Sequence, residues 1–124
     1  MLFRSPACFT ELRRLMQTRH RDVTWPIEYR TLAADDTLIG PASGRDSVTL
    51  SVHQTVAADH RRFFTDAETV FRAHGGRPHW GKLHSATGDE LVRTVPGWAR
   101  FWGIVDHYDP DGRFRNETLA GLRP

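Results

Sequence analysis

Cysteine is almost missing from this chain. Cys8 is the only one, so an internal disulfide framework and a multi-cysteine metal site are both excluded. A reducing compartment suits such a sequence, and a cytoplasmic protein is the expectation. Long apolar runs are missing too. No stretch approaches the roughly 20 residues that cross a bilayer, and the opening MLFRSPACFT has no hydrophobic signal core. Peripheral membrane association is the membrane contact left open. An excess of one charge is also absent: 17 Lys and Arg against 15 Asp and Glu leave a net charge of +2. The pairs Arg13–Arg14 and Arg61–Arg62 have acids nearby and read as solvated helix faces, not as a stripe for a polyanion. Nucleic acid is therefore not an expected partner.

What is present suits a folded domain. With 39% apolar and 26% charged residues over 124 positions, the chain can bury a core. It is short for an enzyme that must also hold a large cofactor. One domain, or one piece of a larger assembly, is expected.

Ser5 followed by Pro6 reads as a helix cap with proline in the first turn, and Phe9, Leu12, Leu15 and Met16 recur at helical spacing up to about Arg19. From Val23 the period changes to two. Val23, Trp25, Ile27 and Tyr29 point one way; Thr24, Pro26, Glu28 and Arg30 point the other, which predicts a strand with Pro26 at an edge or bulge. Ser47 to Thr55 alternates again, with Val48, Leu50 and Val52 on one face and Thr49, Ser51, His53 and Thr55 on the other. The long loop between the two strands contains Gly and Pro, and loops of that length are usually functional or mobile.

Asp59 can cap a helix that turns Phe63, Phe64, Ala67, Val70 and Phe71 inward and closes at Gly75. Residues 75–84, GGRPHWGKLH, are expected to form a strand and turn. Thr87 and Glu90 make a capping box for a short helix ended by Pro96. Pro96 opens another helix, striped by Trp98, Phe101, Trp102 and Val105. DPDG at 109–112 predicts a turn, and a last short helix follows Asn116. Antiparallel strands covered by helices give an α+β fold.

Glu28 and Arg30 stand two apart on a strand, so both side chains leave the same face. The guanidinium fork suits an anion or a polar oxygen, and the carboxylate would orient it. The same pair also reads as an ordinary surface salt bridge. His53 could meet the pair across the sheet or stay an inert surface imidazole. His79, Lys82 and His84 lack the spacing of a zinc site, and Gly75, Gly76 and Gly81 form neither phosphate-cradling motif. Lys82 beside Gly81 could place positive charge where a flat ligand approaches the backbone closely, or be a plain surface lysine.

WPIEYRTLAADD, GRDSVTLSVHQ, GGRPHWGKLH and DPDGRFRN, in this order, resemble the C-terminal part of the sugar-1,4-lactone oxidases. These are the D-arabinono-1,4-lactone oxidases, L-gulonolactone oxidases and dehydrogenases, and alditol oxidases of the vanillyl-alcohol-oxidase flavoprotein superfamily. The resemblance runs from about SPACF to LAGL. It implies an FAD-dependent oxidoreductase acting on a CH–OH group of an aldonolactone or polyol by hydride transfer to flavin. Only the end of the substrate (cap) domain is matched, so the FAD-binding domain is expected to be absent from this chain, on a separate domain or chain, and the chain to be inactive alone. The resemblance also implies roles for Glu28, Arg30 and Lys82 as catalytic residues, with Arg30 and Lys82 meeting the flavin and converging on one spot, and for His53 and His79 in substrate binding. The alternative is a non-catalytic α+β module that binds a polyol or a protein. No metal is implied.

Overall fold

The helical periodicities become helices in a computed structural model that describes residues 4–124, while the two alternating runs pair for only part of their length. Among the described residues there are five helices and two strands: α1 Ser5–Arg19, β1 Glu28–Leu32, β2 Ser47–Ser51, α2 Arg61–Ala73, α3 Gly88–Thr94, α4 Trp98–Tyr108 and α5 Glu117–Gly121. The arrangement is α+β. No helix among these residues is long and apolar enough to cross a membrane.

Two compact units make up the chain, Met1–Ala34 with Arg45–Gly76, and Asp35–Gly44 with Arg77–Pro124. The first holds α1, α2 and the sheet. Its core joins Cys8 and Leu12 of α1 to Phe63, Ala67 and Val70 of α2, with Val23 between and Ile27 and Leu50 packed against them. Fully burying Leu12 contributes about 1.5–3 kcal/mol. β1 and β2 run antiparallel, with Glu28 opposite Ser51, Tyr29 opposite Leu50 and Arg30 opposite Thr49. Leu50 faces the core, so by alternation Tyr29 shares its face, and Glu28, Arg30, Thr49 and Ser51 share the other.

The second unit packs Leu91 and Val95 of the α3 region, Trp98 and Trp102 of α4, and Leu122 after α5. The expected caps hold here. Thr87 Oγ1 accepts from the Glu90 N–H at 3.3 Å, and Asn116 Oδ1 accepts from the Leu119 N–H at 2.9 Å. The DPDG segment closes through the Gly112 N–H and the Asp109 carbonyl at 3.1 Å.

Four expectations are corrected. Ser5 is a helical residue, not the cap: Arg4 takes that position without a side-chain bond, and the Ser5 hydroxyl instead shares a 2.7 Å hydrogen bond with Tyr29 Oη. The first strand starts only after Pro26, whose missing N–H cannot enter a ladder, and the second ends at Ser51, where its partner ends. Residues 75–84 contain no strand. Gly75 turns the chain out of α2 at φ 71°, Pro78 removes a ladder donor, and the Lys82 N–H closes a turn on the His79 carbonyl at 2.9 Å. Pro96 precedes α4 without opening it; Gly97 is the cap at φ 81°.

Candidate functional site

The polar face of the β1/β2 pair carries the first group of candidate residues. Glu28 and Arg30 leave the same side of β1, and Arg30 Nη2 donates to Glu28 Oε1. Their side chains are 40% and 68% exposed. An ion pair that wet contributes only about 0–1 kcal/mol to stability. Its structural consequence is orientation: one carboxylate oxygen holds the guanidinium, and the rest of the fork faces solvent. Opposite these residues, Thr49 and Ser51 add two hydroxyls on the same face.

His53 lies beyond the paired register, two residues past Ser51, so it does not stand directly across from Glu28 or Arg30. Its ring instead lies beside the Trp25 indole, with centroids 6.4 Å apart. That partner was hidden in the sequence by the assumption that Trp25 continues the strand.

His79 and Lys82 belong to the second unit, on the turn that replaces the expected strand. Trp80 anchors this turn. Its ring packs 6.2 Å from those of both Trp98 and Phe101, and its carbonyl accepts from His84 Nε2 at 3.2 Å. His84 Nδ1 in turn accepts the Ala86 N–H at 3.1 Å, which fixes the ring's tautomer. On the anchored turn, His79 Nδ1 accepts the Gly81 N–H at 3.2 Å. The His79 imidazole borders the space beside Gly81: a Cβ built there would lie 3.3 Å from His79 Cε1. Lys82, the only lysine of the sequence, is exposed at the end of the turn.

The arrangement thus brings Glu28 to Arg30, and His79 to Lys82, and sets His53 against Trp25. Chemically the first unit offers an exposed guanidinium, a carboxylate, hydroxyls and an imidazole, and the second an exposed ammonium and imidazoles, groups suited to polar oxygens and developing negative charge. Two long-range contacts of the first unit, one half-buried and one exposed, had no sequence signal. His20 Nε2 lies 2.8 Å from Asp66 Oδ2, and His74 Nε2 lies 2.8 Å from Glu11 Oε2; both tie α1 to α2.

The sequence model of the D-arabinono-1,4-lactone oxidase family matches residues 2–122. The chain belongs to that family. It is 37% identical over 103 residues to L-gulono-1,4-lactone dehydrogenase of Mycobacterium tuberculosis, covering 83% of this chain and 24% of the relative. L-Gulonolactone oxidase of Bos taurus is 32% identical over 114 residues, with 88% of this chain and 26% of the relative covered. Alditol oxidase of a Streptomyces species is 34% identical over 111 residues, with 84% and 26% covered. The chain therefore spans about a quarter of the length of these relatives, and the family's members are oxidoreductases by name.

Proposed function

We propose that this chain is the C-terminal part of the substrate domain of an FAD-dependent oxidoreductase that oxidises a CH–OH group of an aldonolactone or polyol. The family match across residues 2–122 carries this reading. The coverage of about a quarter of the relatives supports a reading in which FAD is held chiefly by a domain or chain other than the matched residues 2–122.

FAD, when bound, supplies the two-electron redox chemistry. The donor set of this chain fits the ring end of that cofactor by its chemistry: an exposed guanidinium held by one carboxylate and an exposed ammonium both complement negative charge. Arg30 and Lys82 would each supply positive charge to a bound flavin ring. Glu28 keeps the Arg30 fork in one orientation, so less reorganisation is needed when charge develops. His53 offers ring nitrogens to substrate hydroxyls. His79 has Nδ1 occupied by the Gly81 N–H and offers Nε2.

The test is a graft in which residues 2–122 replace the matching quarter of the mycobacterial relative. Addition of an aldonolactone or alditol is expected to bleach flavin absorbance. A graft that folds and takes up flavin, yet bleaches with none of these substrates, overturns the proposal.

A further inference from the structure

One end of the β1/β2 sheet carries an indole to which the reading above gives no role. Trp25 is 51% exposed, although tryptophan is among the residues that bury most of their surface. Along β2 the polar face continues toward this indole. Thr49 faces Arg30 and Ser51 faces Glu28; His53 follows, about 6.6 Å further along an extended chain, and meets Trp25.

The first two rungs of this row offer only hydrogen-bonding groups, and the third adds an aromatic face. A polyol or aldonolactone has the same dual character, with a hydroxyl on each carbon and a strip of C–H bonds between. The electron-rich face of an indole attracts the positive edge of such C–H bonds. A short polyol engaged at Arg30 and Glu28 ends before the indole; a longer one reaches it.

We propose that Trp25 is a specificity-determining residue of this polar face, its indole taking the C–H surface at the end of the substrate remote from Glu28 and Arg30. His53 steadies the indole from the side. This inference rests on the polyol reading given under Proposed function, and it adds selection by substrate length.

The test uses the ¹⁵N-labelled full chain, following the Trp25 indole N–H and the Arg30 side-chain N–H during titration with glycerol and with sorbitol. Loss of one indole signal in Trp25→Phe assigns the former. Sorbitol is expected to shift both signals and glycerol only that of Arg30. Trp25→Ala should weaken sorbitol binding about tenfold, the order of one lost apolar contact in a substrate pocket, and leave glycerol unchanged. Trp25→Phe, which keeps an aromatic face, should restore most of the sorbitol affinity. Sorbitol shifting Arg30 while Trp25 stays still, or Trp25→Ala binding sorbitol like the wild type, overturns the role of Trp25 and leaves the polyol reading standing. Sorbitol shifting neither signal overturns the role of Trp25, and the polyol reading is then decided by the graft given under Proposed function. Should Trp25→Ala fail to fold, the wild-type titration decides by itself.

Discussion

His20 Nε2 lies 2.8 Å from Asp66 Oδ2, joining the end of α1 to the middle of α2. His20 is buried and its ring packs 5.2 Å from that of Phe63, so the hydrogen bond sits at the rim of the core. That bond holds the Asp66 carboxyl below its ordinary value of 3.8; Arg19, His20 and Arg62 add their charges in the same direction, and partial burial opposes them. Between the lowered native value and 3.8, the unfolded chain holds a proton that the native chain does not. The stability this group contributes is therefore fully present above about pH 4 and is lost as pH falls through the native value. Urea midpoints measured from about pH 5 down to about pH 2 should fall more steeply for the wild type than for Asp66→Asn. Equal slopes would show that the pair does not couple to folding.

Cys8 is the opposite case. Burial, followed by the nearby Glu11 charge, pushes its thiol up from 9.0 to about 11. The native thiol stays protonated where the unfolded one ionises, so stability is intact below about pH 9 and declines as pH rises toward about 11. A thiol reagent at about pH 8 should modify native protein far more slowly than protein unfolded in guanidinium. Modification at the same rate in both would place Cys8 outside the core.

Gly97 adopts φ 81° at the start of α4, and a Cβ there would lie 2.4 Å from the Leu38 carbonyl oxygen. Gly97→Ala meets two penalties at once, a left-handed backbone costing about 1–2 kcal/mol and a steric overlap with backbone that cannot rotate away. Thermal unfolding of the variant should drop by about 4 °C or more. A variant as stable as the wild type would mean that the turn rebuilds.

The helices were largely legible because their signals are local. Thr87 caps the residue three positions on, and Phe63, Ala67 and Val70 bury one face of α2 as their spacing requires. The strands were half legible. Alternation marks Val23 to Thr55 as two runs, but a ladder needs two partners, and neither Pro26 nor the residues past Ser51 has one. The site divides the same way. Glu28 and Arg30 are neighbours on a strand and pair as read, whereas Trp25 meets His53, and His20 meets Asp66, only because the chain folds back. In segment 75–84 an anchoring role for Trp80 is legible from its bulk, but its partners Trp98 and Phe101 are not, because they lie on a distant helix.

Arg30 separates a structural from a functional role for the polar face. Its ion pair with Glu28 is exposed and contributes about 0–1 kcal/mol, so Arg30→Ala should leave the circular dichroism spectrum and unfolding midpoint of the chain nearly unchanged. In the graft with the mycobacterial relative, the same substitution removes a preorganised cation and should lower turnover by roughly 10²-fold. Arg30→Lys keeps the charge but loses the planar fork that Glu28 grips, and should fall between the two. Wild-type turnover in Arg30→Ala would assign the pair to the surface alone, since an electrostatic contribution to the reaction cannot survive loss of the charge that makes it.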